Sequence, residues 1–426
     1  MSRLRKELSL VTAIFYGVGI ILGAGIYVLI GQGAGVAGNG LWLSFVVAAL
    51  IASFTGMSYA ELAGMFPKTA AEYVYTKKAF GKEWLAFVVQ WIMIFALIVS
   101  ATTVALGFGG YFSYIFGISQ LWAAAGLLVL LSLISYTGIK ESVRFNIVAT
   151  VIEMIGLLIV IVLGAGFIGT IDYFAAPAGI TSILAATALL FFAYIGFEEV
   201  VNLSEETKNA SRVIPKALLI SIAITTVLYI LVAISAVSIM PAEELAKAKA
   251  PLTEVVSRVM PEAGFLMSVI ALFATSNTVL AILVVASRML YGLAKNNALP
   301  QALATLGKSR TPYVSVFIVM IVSLAFLQFG AIGSVALLTD IGIFAVYLFI
   351  NAAVIWLRYK EPKAKRTFRS PLSIGKFPVL AGLGIISSLL MLLHFEPVLI
   401  FYEILAVIAG FAVYNAFRYA KKFSYS

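Results

Sequence analysis

The chain has 426 residues, of which 62% are apolar and 11% charged, and its formal charge is +10. Soluble domains are roughly 45–50% apolar and about 25% charged, so a water-soluble fold could not cover this much apolar surface, whereas a bilayer leaves it nothing to cover. Cysteine is absent and His394 is the lone histidine, which excludes a disulfide framework and a cysteine or multi-histidine metal centre.

Backbone groups in lipid must bond internally, so spanning segments are helices or a closed barrel. The apolar runs approach the roughly 20 residues of a spanning helix, not the roughly 10 of a barrel strand. In chain order, twelve spans are expected near 9–36, 41–65, 83–112, 119–137, 145–168, 181–204, 215–239, 263–293, 313–330, 334–357, 377–394 and 397–418. No cleavable leader is expected, because the first apolar run is long and more spans come after it. The long loop 240–262, rich in Glu, Lys and Ala, should carry a short surface helix. Alternate assignment of the loops puts 26 Lys and Arg on one side and three, Lys247, Lys249 and Arg258, on the other. Cations stay cytoplasmic, so a multi-pass protein of the cell membrane with both termini inside is expected. The positive charge then reports topology, and no nucleic-acid partner is called for.

The first span contains Gly17, Gly19, Gly23, Gly25, Gly31 and Gly33, and its centre reads Leu22-Gly23-Ala24-Gly25-Ile26-Tyr27. The sixth reads Phe191-Phe192-Ala193-Tyr194-Ile195-Gly196-Phe197-Glu198-Glu199. Glycine permits an unwound backbone, which is tolerated at membrane depth only where it lines a cavity or binds something. In the first span alone, close helix packing explains the glycines equally well. The pairing of interruptions five spans apart points instead to an inverted-repeat transporter whose site lies where the breaks meet. A half-helix N-terminus suits a carboxylate, and unwound carbonyls suit an ammonium. Together they fit an α-amino acid.

These segments, with Tyr59-Ala60-Glu61-Leu62, Pro67, Tyr73-Val74-Tyr75, Phe80-Gly81, the stretch from Glu205-Glu206 to Pro215, and Ser287-Arg288 through Pro300, resemble the amino acid–polyamine–organocation (APC) superfamily. The likeness is to its cationic-amino-acid-transporter-like and archaeal proton-coupled amino acid transporter branch. The resemblance implies an all-α membrane protein of twelve transmembrane helices, with a LeuT-like five-plus-five inverted repeat, broken helices 1 and 6, and two C-terminal helices. Residues 1–168 would form the first repeat, 169–357 the second, and 358–426 a cytoplasmic loop with helices 11 and 12. Carried over by position, Gly23, Ala24 and Gly25 would meet the substrate carboxylate, and Ile26 would join them in the substrate site. Carbonyls near Phe191, Ala193 and Ile195 would meet its amine, and Tyr194 and Phe197 would shape or gate the pocket. The chain departs from the pattern at Ala70-Ala71, where the family usually has Gly-Gly, and at Gln90-Trp91, where it has Gly-Trp. Ala96 stands where cationic-substrate relatives often carry an acid, which weighs against a Lys or Arg substrate.

An ionisable group deep in a span is costly, at roughly 2.5–3.5 kcal/mol on insertion scales, and is a functional candidate by default. Glu153 lies near the middle of the fifth span, where the resemblance implies the lysine of proton-coupled relatives. A carboxylate cannot donate as that lysine does, so Glu153 must be neutral or paired with a bound cation, and either option couples an ion to the site. Thr275 and Ser276 of the eighth span could add hydroxyl oxygens to a sodium site. Glu198, Glu199 and Asp340 are candidate gate residues; Glu61 is expected to be structural and Arg288 interfacial. The expected function is a proton-coupled amino acid permease working by alternating access. A sodium symporter, a polyamine or organocation exchanger and a non-transporting amino acid sensor are the alternatives. With no nucleophile–base pair or Walker loop, no enzyme, cofactor or metal is expected.

Overall fold

Helix α1 (Leu10–Ala37) starts at Ser9, whose hydroxyl accepts from the Thr12 N–H at 3.3 Å, a side-chain cap. The computed structural model describes residues 8–68, 71–137, 142–205, 207–307, 311–329 and 331–423. Ala70 and Glu206, singled out in the sequence, lie outside them. Gly38, at φ +62°, turns the chain from α1 into α2 (Leu41–Met65). Then come α3 (Ala71–Phe80), α4 (Glu83–Phe116), α5 (Gln120–Thr137), α6 (Ser142–Gly164) and α7 (Ile180–Leu190). After α7 the chain tightens into two 3₁₀ stretches, Phe191–Tyr194 and Phe197–Glu205. It resumes as α8 (Ala210–Ile239), the short α9 (Ala242–Lys247) and α10 (Pro251–Val259), and then α11 (Pro261–Lys295), α12 (Tyr313–Phe326) and α13 (Ile332–Lys360). A two-stranded hairpin, β1 (Ser373–Ile374) and β2 (Phe377–Pro378), leads into α14 (Val379–Leu392) and α15 (Pro397–Phe423).

Eight stretches among the described residues are long and apolar enough to cross a membrane. One of them, Leu10–Met65, joins α1 and α2, and three shorter apolar helices accompany the eight, Gln120–Tyr136, Tyr313–Phe329 and Val379–Leu392. Large apolar side chains stay exposed along α5, α12 and α15, such as Leu133, Phe317 and Ile408, the pattern of lipid-facing surface. Helix α1 lies at the centre, packed against α6, α7, α8 and α11.

Three expectations need correction. The segment 71–80, read as loop, is helix α3, because Glu72 at its first turn and Lys77 and Lys78 at its last suit the helix dipole. The loop 240–262 holds two short helices instead of one, separated by residues 248–250, with Pro251 at the first position of the second. The sixth span is interrupted as expected, but beyond the break it continues to Glu205 as 3₁₀ helix, which begins at Phe191, and not as a second α-helical half.

The C-terminal ends of α2 and α13 are locked by one carboxylate. Glu61 Oε1 accepts from Arg358 Nε at 2.9 Å and Arg366 Nε at 3.1 Å, and Oε2 accepts from Arg358 Nη2 at 2.6 Å and the Ser370 N–H at 2.9 Å. Such a buried charge is tolerable only when its oxygens are satisfied in this way. Arg358 also donates to the hydroxyl of Ser373 and the carbonyl of Ser370. The Thr367 hydroxyl donates to the carbonyls of Gly64 and Ser211. The loop after α13 is thereby fastened to α2 and α8. Glu61 is structural, as expected.

Candidate functional site

The helix of α1 fails at Gly23, where φ is 0° and ψ −153°. The freed N–H of Ala24 donates to Thr278 Oγ1 of α11 at 3.1 Å. A Cβ on Gly25 would stand 2.5 Å from the Cα of Ala193, so the two interrupted segments touch, and only glycine fits at that crossing. The second interruption falls at Ile195, whose ψ of 138° leaves the helix, and at Gly196, at φ +114°. There the chain supplies its own cap: Glu198 Oε2 accepts from the Gly196 N–H at 3.1 Å. Tyr229 of α8 ties the breaks together, because its hydroxyl lies 2.5 Å from the carbonyl oxygen of Ile21 and 2.9 Å from that of Ala193.

Beside this crossing is a small cavity of about 50 Å³. Gly23, Ala24, Gly25, Ile195 and Glu199 line it, with Asn277 and Thr278 from α11 and Leu97 and Ser100 from α4. Its wall is mainly apolar. Five of the residues expected in the pocket point elsewhere. Ile26 is fully buried, the Ala193 carbonyl is engaged by Tyr229, and the Tyr194 hydroxyl donates to the Phe45 carbonyl at 3.1 Å. Phe191 packs on Phe344 and Phe197 packs on Tyr59.

A family model described as amino acid permease matches residues 8–419. The chain belongs to the amino acid permease family. It is 30% identical over 449 residues to the branched-chain amino acid permease BcaP of Bacillus subtilis, covering 99% of this chain and 94% of that one. It is 29% identical to the methylthioribose transporter of the same organism, over 86% of this chain and 84% of the relative. It is also similar to cationic amino acid transporter 4 of Mus musculus, at 28% identity over 86% of this chain and 62% of the mouse protein. This amino acid permease is therefore an integral membrane transporter and not an enzyme.

Glu153 of the permease is fully buried on α6. Its Oε1 accepts from Asn277 Nδ2 at 3.3 Å, and its backbone carbonyl accepts from the Tyr27 hydroxyl at 2.7 Å. Asn277 also lines the cavity, so one side chain touches both the buried acid and the pocket. Thr275 and Ser276 donate to carbonyls of their own helix, Ala271 and Leu272. On the other side of the crossing, Glu198 accepts from the Tyr347 hydroxyl at 3.2 Å, and Glu72 accepts from the Tyr59 hydroxyl at 3.1 Å. Tyr59, Phe197 and Tyr347 meet edge-on or tilted at 5.6–6.0 Å. Asp340 is fully buried on α13 and is not part of the cavity wall. The sequence reasoning missed Asn277, Thr278, Tyr229, Tyr347 and Glu72. Asn277 could have been found, as an amide inside an apolar span, and Glu72 as the acid opening a short amphipathic segment.

Proposed function

We propose that the permease carries an amino acid with an aliphatic side chain by alternating access, coupled to protons. The meeting of two interrupted helices at a cavity is the observation that carries this reading. The cavity's apolar wall favours an aliphatic side chain, as does the branched-chain substrate in the name of the Bacillus subtilis relative. The carboxylate would be held by backbone N–H groups around Gly23–Gly25, with Ala24 exchanging its bond to Thr278 for one to the substrate. The fold reading is twelve transmembrane helices in a LeuT-like five-plus-five repeat, 1–168 and 169–357, with both termini cytoplasmic.

Glu153 would carry the coupling proton. Its Oε1 meets Asn277, and its Oε2 is buried without a hydrogen-bond partner among the described residues. Burying a neutral acid with one unpartnered oxygen costs far less than burying a carboxylate. The acid would sense the site through Asn277. The aromatic layer of Tyr59, Phe197 and Tyr347, flanked by Glu72 and Glu198, would be the inner gate. A second reading is favoured by Glu199, an acid in the cavity wall: a cationic amino acid or amine as substrate. Sodium remains the rival coupling ion, with Thr275 and Ser276 as oxygen donors.

Uptake into proteoliposomes, with pH and Na⁺ gradients imposed separately, tests substrate, ion and transport together. Concentrative leucine, isoleucine or valine uptake driven by an inward proton gradient is expected. Lysine uptake in preference to leucine would overturn the substrate class, an absolute Na⁺ requirement at fixed pH would overturn the ion, and binding without uptake would make the protein a sensor.

A further inference from the structure

The hairpin before α14 leaves two large aliphatic side chains bare: Leu372 is 67% exposed and Ile374 75%. They are held there, not left loose. Ser373 pairs with Pro378 and Ile374 with Phe377, Gly375 makes the turn at φ +61°, and the Leu372 carbonyl accepts from the Val379 N–H at 2.9 Å. Leu372 itself sits at φ +55°, a region that side-chain-bearing residues seldom enter. Arg358, fixed by Glu61, grips Ser370 and Ser373 at the base.

The next helix indicates the surroundings of the hairpin. Helix α14 has 14 residues, a length of about 21 Å at 1.5 Å per residue, against a hydrocarbon thickness of roughly 30 Å. Its outer face is apolar and exposed at Leu383, Ile386, Leu389 and Leu390, so it is lipid-facing. A short lipid-facing helix leaves its inner end, with the hairpin, at the boundary between headgroups and acyl chains. The charge fits a membrane of one sign. Lys363, Lys365, Arg369 and Lys376 are exposed, and Glu361 is the sole acid between 361 and 378. Apolar tips flanked by cations are the composition that binds anionic lipid surfaces.

We propose that the hairpin 372–378 is a membrane anchor that seats Leu372 and Ile374 below the headgroups while Arg369 and Lys376 hold the phosphates of anionic phospholipids. The proposal rests on the reading that this loop lies on the cytoplasmic face, where it would tie the inner ends of α2 and α13 to the leaflet. The chain contains no cysteine, so Ile374→Cys gives a single site for an environment-sensitive fluorophore. With the labelled protein in phosphatidylcholine vesicles containing phosphatidylglycerol, blue-shifted emission is expected. Quenching should be strong from lipids spin-labelled high on the acyl chain. At equal mole fraction, spin-labelled phosphatidylglycerol should quench several-fold better than spin-labelled phosphatidylcholine, and Arg369→Glu with Lys376→Glu should remove that preference. Water-like emission unquenched by any lipid would overturn the anchor, and equal quenching by the two lipids would overturn its anionic selectivity. Separately, Lys365→Cys should resist a membrane-impermeant maleimide added to intact cells. Labelling there would overturn the orientation without altering the depth measurement.

Discussion

The two chain breaks reach similar geometry by opposite means. In α1 the interruption is one residue wide and the helix resumes at once; its loose ends are taken up by other helices, Thr278 on the N–H of Ala24 and Tyr229 on the carbonyl of Ile21. After α7 the chain never regains α-geometry before Glu205, and its loose N–H at Gly196 is taken up by Glu198, two residues away. The first break is thus imposed by tertiary neighbours, and the second is written into its own segment. A break held by neighbours is free to change partners when a ligand arrives. A self-capped break carries its own partner and needs none from a ligand.

The largest expected effect comes from forcing the two breaks apart. Gly25→Leu places side-chain atoms against the Ala193 backbone, where even a Cβ would be 2.5 Å from Cα. Amino acid binding should be lost in an equilibrium binding assay, while size-exclusion chromatography still gives a monodisperse protein. Unchanged affinity would mean that the crossing is packing alone. Next is Glu153→Gln, which removes the proton but keeps a group able to meet Asn277. Binding and exchange should persist, and gradient-driven accumulation should fall to simple equilibration. Full accumulation by this variant would take Glu153 out of coupling.

The remaining two changes weigh one break against both. Tyr229→Phe strips the hydroxyl from the carbonyls of Ile21 and Ala193 at once. Leaving buried acceptors unpaired costs about 1–3 kcal/mol, and a thermal-shift assay should register it. Thr278→Val frees only the α1 side, so its loss of stability should be smaller, about 1 kcal/mol. Because it releases the Ala24 N–H, substrate should recover more of the lost stability in this variant than in Tyr229→Phe. Equal recovery would mean that the α1 break does not exchange partners on binding.

The helices and the positions of both breaks were legible because long apolar runs and mid-span glycines are strong, local signals. Gly23 and Gly196 fall where the chain unwinds, and Gly25 where the two segments touch. The partners were not legible. Tyr229, Asn277 and Thr278 sit in apolar helices where a hydroxyl or amide looks alike whether it bonds its own helix or reaches across the bundle. Thr275 and Ser276 show the ambiguity: they have the same residue chemistry one turn away, yet both bond their own helix. Tyr194 and Phe197 were expected at the pocket because they adjoin the break, but the 3₁₀ turns rotate them toward α2 and α13 and present Phe192 and Ile195 instead.

That 3₁₀ segment also stores length. Phe197–Glu205 has nine residues. At about 2.0 Å rise per residue, against 1.5 Å for an α-helix, it is roughly 4.5 Å longer than the same residues coiled as α. Its far end is moored: just beyond it, Thr207 forms a parallel bridge with Leu8, and the Lys208 N–H donates to the Leu8 carbonyl at 3.2 Å. Rewinding the segment would draw the start of α1 toward the membrane centre by up to that distance. If the transporter rewinds this segment, it would act as a spring of fixed stroke between the cavity wall at one end and the Leu8–Thr207 bridge at the other.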